Sequence, residues 1–337
     1  MDYKDIINEQ RLLLDRARKW WPIYLYHFSD IKNVVEILGT GWIFGRKQAE
    51  SEKIMKNNNA SSRVIELTSD DVKDCARLYM RPLTPTQYHN EGYKPKKIRN
   101  KSLNANCPVP VFLLLDAVKT LKMDGVKFVE KGCAGNYQEK GKIGVENFSK
   151  LKFDKIFHNG GAGFTDEIKK YRQTEVIREG GLPIERVLKG IVCRTEAEKQ
   201  TLLFLLREQY PEAYKKYNDI ISYKPELKLF YNNGAFIKNV KFQAEKLNIA
   251  FNDPYMRYNP NTIDEAIFNI TINMYWLDNK LKIISRNYAN GEFDYCKVGG
   301  LRVSFNNILS NKLLIEILFD DCLMYKTIYD LSEYGII

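Results

Sequence analysis

Three glutamines in this chain stand two residues before a glutamate, in Gln48-Ala49-Glu50, Gln173-Thr174-Glu175 and Gln243-Ala244-Glu245, so the spacing alone says little. The second is set apart by its surroundings. It closes Lys169-Lys170-Tyr171-Arg172-Gln173-Thr174-Glu175, follows the polar turn Asn159-Gly160-Gly161-Ala162-Gly163, and lies about 150 residues after Tyr26-His27-Phe28-Ser29-Asp30. A carboxylate held beside a sugar carbon stabilises the positive charge that builds there as a glycosidic bond breaks, more than it stabilises the ground state. Glycosidase carboxylates work by the same logic. Glu175 is the candidate for that role; the ordinary alternative is a solvated glutamate at a strand end. Side chains in a strand repeat every second residue, so Gln173 shares a face with Glu175. Its amide can grip an acceptor group as donor and acceptor together, or simply face water.

His27 ends an apolar run just before a helix start. A lone histidine there is either a hydrogen-bonded core residue or a ligand for a ribose hydroxyl. Arg63, in Ala60-Ser61-Ser62-Arg63, is one more solvated arginine or a pyrophosphate clamp. Tyr79 and Tyr88 can stack on a planar ring or pack, and with 21 tyrosines in the chain packing is the commoner fate. The basic loop holding Lys94, Lys96, Lys97, Arg99 and Lys101 is either solvated or a phosphate-tracking wall beside tyrosines that stack on bases. The glycines at 160–163 match neither a Walker loop nor a dinucleotide fingerprint and read as a mobile loop.

Composition sets the frame. The chain has 337 residues, 44% hydrophobic and 28% charged, enough for a full core and two domains. No run approaches membrane-spanning length, and Met1-Asp2-Tyr3-Lys4-Asp5 is too polar for a signal peptide. Six cysteines without a Cys-x-x-Cys pair read as reduced thiols of a cytoplasmic protein, and three histidines make a His-based metal site unexpected. Of 52 Lys+Arg and 42 Asp+Glu, residues 221–337 carry 13 of each, leaving 39 against 29 in residues 1–220. The whole surplus of +10 thus sits on the N-terminal part and suits a polyanionic partner.

These residues need positioning elements. Residues 2–20 have an amphipathic pattern, with Ile6, Ile7, Leu12, Leu13 and Leu14 among charges, and Pro22 makes a boundary. Residues 23–28 have strand composition; Ser29-Asp30 can cap a helix over 31–38, stopped by Gly39 and Gly41. Residues 48–71 are polar and Asn-rich, a long loop or broken helix. Strands are expected at 76–80, 109–115, 126–129, 174–177 and 188–193. Thr195-Glu196-Ala197-Glu198 has capping-box spacing for the next helix. Beyond residue 221, hairpin signals at 232–234 and 277–280 and short strands at 301–305, 313–319 and 323–328 predict an all-β sandwich. Three parts follow: a helix in 1–22, a domain in 23–220, and a β-rich accessory domain in 221–337.

With these segments collected, the chain resembles the DarT family of DNA-base ADP-ribosyltransferase toxins. Tyr26-His27-Phe28-Ser29-Asp30-Ile31-Lys32-Asn33 is similar to the family's opening Tyr-His-Ile-Thr-His-Ile-Asp-Asn. The stretch from Leu78 to Tyr88 is similar to its Phe-Tyr-Phe-x-Pro-Arg-Ser-Pro-Met-Leu-Tyr, with Leu83 where the family has arginine and Arg81 two positions earlier. Residues 110–115 match the following strand, and Arg172-Gln173-Thr174-Glu175-Val176-Ile177 matches the Gln-x-Glu site. The likeness spans residues 23–205. It implies an α+β ADP-ribosyltransferase fold, a split central β-sheet with flanking helices, ahead of the all-β domain. It implies NAD as co-substrate and no metal. Glu175 would be catalytic with Arg63; Gln173 and Arg172 would read the acceptor; Tyr26, His27, Ser29, Asn33, Tyr79 and Tyr88 would hold the cofactor; and Lys94, Lys96, Lys97, Arg99 and Lys101 would bind nucleic acid. The acceptor would be thymine or guanine in single-stranded DNA, since a base in a duplex must first be unstacked to reach a buried carbon. The resemblance further implies a toxin or phage-defence role and a macrodomain-type antitoxin as partner. The alternatives are an ADP-ribosyltransferase acting on RNA or protein, and a non-catalytic nucleic-acid-binding protein.

Overall fold

The computed structural model describes residues 1–59, 65–66, 68–99, 105–133, 141–161, 163–243, 246–259, 262–304 and 307–334. The strands before residue 224 are β1 (Tyr24–Asp30), β2 (Trp42–Ile43), β3 (Cys75–Tyr79), β4 (Pro110–Asp116), β5 (Val126–Val129), β6 (Glu175–Glu179), β7 (Leu182–Pro183), β8 (Leu188–Cys193) and β9 (Ile221–Tyr223). Seven form one sheet in the order β5-β6-β3-β1-β4-β8-β9, and β2 pairs with β7 apart from it. Strand β4, the most apolar run of the chain, is buried along residues 110–115 between β1 and β8.

The sheet is split. Strand β1 pairs with β4 along its whole length, from Tyr24↔Asp116 to Asp30↔Pro110, but meets β3 only at Tyr26↔Tyr79. On the far side β3 pairs with β6 from Cys75↔Glu179 to Tyr79↔Glu175. One residue pair therefore joins the two halves, and β1 and β3 part beyond it.

Asp30 does what its position predicts: its carboxylate accepts the Lys32 N–H at the start of the helix Ile31–Thr40, which Gly41 ends at φ 77°. It also accepts the Val109 N–H at 3.2 Å. Burial lifts the Asp30 carboxyl from 3.8 to about 6. The folded chain therefore holds this proton more tightly than the unfolded chain does. Its contribution to stability is full below about pH 4 and is lost as pH rises through about 6, on the order of 3 kcal/mol. Asp30→Asn, which keeps an acceptor oxygen and carries no charge, is expected to remove that slope. Thermal melts of both proteins from pH 4 to 7 check this; parallel curves would refute it.

Two local expectations are corrected and one helix is added. The first helix covers Tyr3–Leu13 rather than 2–20: Asp2 caps it in a reciprocal box with Asp5, Leu14 is already extended, and Leu12 and Leu13 face solvent. The stretch after Tyr79 contains a helix, Pro85–Asn90, capped by Thr84 with proline in its first turn, where a missing N–H costs nothing. The expected hairpin at 232–234 does not form. Asn232 and Gly234 adopt φ 62° and 71°, and the N–H groups of Tyr231, Asn232 and Asn233 converge on the buried Glu91 carboxylate at 2.9, 2.6 and 3.3 Å. A buried anion takes the donors that a ladder would have used.

The C-terminal strands are β10 (Ile237–Gln243), β11 (Lys246–Phe251), β12 (Ile267–Leu277), β13 (Ile283–Asp294), β14 (Gly300–Ser304), β15 (Lys312–Phe319) and β16 (Cys322–Asp330). They form two antiparallel sheets, β10-β11-β14 and β13-β12-β15-β16. Phe251 and Phe319 meet edge-on between them, centroids 5.4 Å apart. The hairpin expected at 277–280 joins β12 to β13. The helix Glu196–Gln209, capped by Thr195, packs against β10 and β16. Thr201 accepts the Lys326 N–H and Tyr325 donates to Gln200, so the sheets share one core with the N-terminal part.

Candidate active site

Where β1 and β3 part, a pocket of about 220 Å³ opens, with His27 and Ser29 on one wall and Arg77 and Tyr79 on the other. His27 bridges the gap itself: its Nδ1 lies 3.1 Å from the Arg77 carbonyl oxygen. A carbonyl only accepts, so Nδ1 carries the proton. Burial lowers the imidazole's pKa, the ring is neutral at pH 7, and Nε2 is left as an acceptor.

Ser29 is tied to the asparagine run that the sequence marks as part of a long loop or broken helix. Asn33 on the helix Ile31–Thr40 accepts the N–H groups of Lys56 and Asn57 at 2.8 and 2.9 Å and donates to the Asn57 carbonyl at 2.7 Å. Asn33 and Asn59 both donate to Ser29 Oγ, at 3.3 and 3.0 Å, which leaves the Ser29 proton free to be donated. Asn57 and Asn59 thereby join the lining. Arg46, paired with Glu50 at 2.7 Å, brings a cation to the same pocket.

Glu175 starts β6 opposite Tyr79 and is 1% exposed. Its Oε1 accepts Arg77 Nη2 at 2.7 Å and Nε at 3.2 Å; its Oε2 accepts the Cys133 N–H at 2.7 Å and Arg77 Nη2 at 3.0 Å. A carboxylate offers about four acceptor sites, so Glu175 is fully engaged. Arg77 keeps 30% of its side chain exposed and lines the pocket. It stands between the carboxylate and the space in which a ligand would sit. The sequence did carry a signal for Arg77, a charged residue inside the apolar strand Ala76-Arg77-Leu78-Tyr79 on the same face as Tyr79.

The other sequence candidates fall in several places. Gln173 precedes β6, so it shares no strand face with Glu175; its Oε1 accepts from Thr86 at 3.1 Å, and Thr86 lines the pocket. Arg172 is buried, donating to the Leu83 carbonyl at 2.9 Å and to Tyr231 at 3.3 Å. Tyr26 lies in the core rather than in the pocket lining, fully buried with its hydroxyl on the Trp21 carbonyl. Tyr88 is exposed, edge-on to Tyr231 and Tyr258. Lys94 is buried, donating to the Glu91 and His89 carbonyls at 2.6 and 3.1 Å, and burial pushes its ammonium down to about 7. Lys96 and Lys97 are exposed, and Arg99 is half-buried on the Lys94 carbonyl. Arg63 and Lys101 lie outside the described residues. Arg81, fully buried, donates to the Ile156 and His158 carbonyls and holds structure rather than substrate. Among the described residues no cluster of His, Cys, Asp and Glu suits a metal ion, and no helix is long and apolar enough to cross a membrane.

A split sheet, a buried glutamate on the strand beyond the split and a neutral histidine on the strand before it make this pocket the candidate active site. The family model described as "ssDNA thymidine ADP-ribosyltransferase, DarT" matches residues 26–219, and the chain belongs to that family. Among solved structures the chain is similar to Thermus sp. 2.9 DarT in complex with NAD+, at 15% identity over 57% of this chain and 91% of that one, TM-score 0.43. It is also similar to the same protein in complex with ADP-ribosylated ssDNA, at 14% identity over 62% and 97%, TM-score 0.45. No curated protein matches the chain.

Proposed function

We propose that the protein is an NAD-dependent ADP-ribosyltransferase acting on a base, thymine or guanine, of single-stranded DNA. The observation that carries this reading is the buried Glu175 carboxylate, reached through Arg77 from a pocket lined by His27 and Ser29, in a chain of the DarT family. The pocket suits a dinucleotide. Arg46 and Arg77 are cations for a pyrophosphate, with Arg63 kept as a further clamp. His27 Nε2 accepts from a ribose hydroxyl and the Ser29 hydroxyl donates. Asn33 holds the asparagine run against them, and the Tyr79 ring offers an apolar face to nicotinamide.

NAD, when bound, supplies a ribose carbon that becomes electrophilic as nicotinamide leaves. Glu175 stabilises the positive charge developing there once an Arg77 contact has given way to the ribose. Gln173, held by Thr86, orients the incoming base, and Arg172 fixes the turn that presents Gln173. The proposed setting is a toxin or defence effector countered by a macrodomain-type antitoxin. Incubating the protein with labelled NAD and single-stranded oligonucleotides of each base tests the reading: label on one DNA base supports it, and label only on RNA or protein would overturn it.

The lysines near residue 96 separate into two kinds. Lys96→Ala and Lys97→Ala are each expected to lower the slope of log affinity against log salt by about 0.7 for a single strand. Lys94→Met is expected to leave that slope unchanged, because its ammonium is spent on the Glu91 and His89 carbonyls. Oligonucleotide affinities over a salt series check both; a slope changed by Lys94→Met would place that lysine on the nucleic acid.

A further inference from the structure

The region outside the family match reaches the acceptor side of the site through one connected set of contacts. The helix Pro85–Asn90 lines the pocket with Thr86 and Asn90 and presents Tyr88 and His89 elsewhere. It runs into Glu91 and Gly92, which lie against residues 233–234 so closely that a Cβ on Gly92 would stand 1.9 Å from the Asn233 carbonyl oxygen. Asn252 donates to the Gly234 carbonyl at 2.8 Å and accepts the Phe236 N–H at 3.1 Å. Asn252 in turn receives the buried Arg257, whose guanidinium also donates to the carbonyls of Tyr295 and Val298. Loop 253–258 is thus pinned from beneath to the helix that borders the pocket.

The loop turns large side chains to solvent. Tyr255 is 94% exposed and Met256 72%, while Tyr258 meets Tyr88 edge-on at 5.3 Å and His89 at 6.3 Å. Tyr88 itself is 39% exposed. Edge-on packing holds such rings in place while leaving faces to solvent. Lys169, exposed on the helix Asp166–Tyr171 just before Gln173, lies close by; burial, with Lys169 and Lys94, lowers the pKa of His89. A buried arginine fixed to the carbonyls of three residues holds a loop whose tip turns Tyr255 and Met256 to solvent, where a ligand could meet them.

We propose that loop 253–258, with Tyr88, is a base-stacking platform for the single-stranded DNA acceptor, so that the C-terminal sheets form part of the substrate site. This rests on the function proposed above. Aromatic rings suit unpaired bases because every base has a π-face, and Lys169 supplies a cation for the backbone. Tyr88 is two residues from Thr86, which holds Gln173, so the platform and the proposed acceptor-reading residue are joined through the one helix Pro85–Asn90.

The test uses the whole chain and fluorescein-labelled single strands of about 16 nucleotides containing both thymine and guanine, with anisotropy for affinity and initial rates for KM and kcat. Tyr255→Ala and Tyr258→Ala are each expected to weaken binding and raise the oligonucleotide KM about tenfold at unchanged kcat. Tyr258→Phe, which keeps the ring face, is expected to bind as wild type. Tyr255 is fully exposed, so its alanine variant carries no folding risk. Wild-type affinity and KM in both alanine variants, with DNA still modified, would overturn the platform and leave the enzyme reading standing. Weakened binding to an RNA of the same length alone would overturn the DNA assignment. A wild-type protein that modifies no DNA would overturn both.

Discussion

Glu175→Ala is expected to abolish ADP-ribosyl transfer, lowering the rate at saturating DNA and NAD by at least about a thousandfold, the scale of losing one preorganised electrostatic contact or more. The charge that the carboxylate faces exists only as the glycosidic bond breaks, so the loss falls on kcat. NAD affinity is expected to change far less, because His27, Ser29 and Arg46 contact the pocket independently of Glu175. Glu175→Gln keeps the shape and one acceptor oxygen but removes the charge, and it is expected to lose nearly as much. Labelled NAD with oligonucleotides, beside calorimetric titration of NAD, reads both parts. Transfer at wild-type rates in either variant would remove Glu175 from the chemistry.

Arg77→Ala is expected to damage stability and activity together. Removing it strips the buried Glu175 of the only ion-pair partner it has among the described residues. The cost is about 3 kcal/mol, at the low end for breaking a buried pair because Arg77 itself is partly solvated. Activity is expected to fall about a hundredfold, mainly through KM for NAD, since the same guanidinium faces the pocket where a pyrophosphate would lie. Arg77→Lys retains the charge but not the two-pronged contact and should recover stability only in part. The double variant Arg77→Ala with Glu175→Ala should be less destabilised than the sum of the two single changes. Denaturant melts of the four proteins form the cycle; additive effects would mean that the pair seen between β3 and β6 contributes nothing.

In this structure Arg77 and the Cys133 N–H use every acceptor position of Glu175. On the function proposed above, a ribose hydroxyl would reach the carboxylate only by displacing one of the Arg77 contacts, which would couple NAD entry to movement of Arg77.

Much of the architecture was legible in the chain because its signals are local. The apolar run at residues 109–115 can only be a buried strand, and Asp30 and Thr195 mark helix starts by offering an oxygen to otherwise unpaired N–H groups. Residues 126–129 and 188–193 alternate or cluster as strands and are strands. The order of the opening Tyr-His segment, the Tyr-Pro stretch and the Gln-x-Glu segment sufficed to point at the family. Local signals also misled where a partner far along the chain took over. Asn232-Asn233-Gly234 has the chemistry of a hairpin turn, but Glu91, 141 residues before Asn232, draws its backbone donors inward. Lys94 belongs to a basic loop by composition, yet its side chain is buried beneath the helix that ends at Asn90.

The sequence by itself determined which residues were able to act: one glutamate after a glycine-rich turn, a histidine closing an apolar strand, a basic surplus confined to residues 1–220, and a β-rich remainder. Only the tertiary structure decided how they act together. The pairing of Arg77 with Glu175 spans 98 residues and exists because β3 and β6 adopt one register, which no local pattern specifies. The pocket exists because β1 and β3 touch at one pair and then part, a property of how seven strands twist and pack rather than of either strand's residues. His27 and Tyr26 are neighbours in sequence, and alternation sends them to opposite faces; the core claimed the tyrosine and the split sheet gave the histidine its pocket.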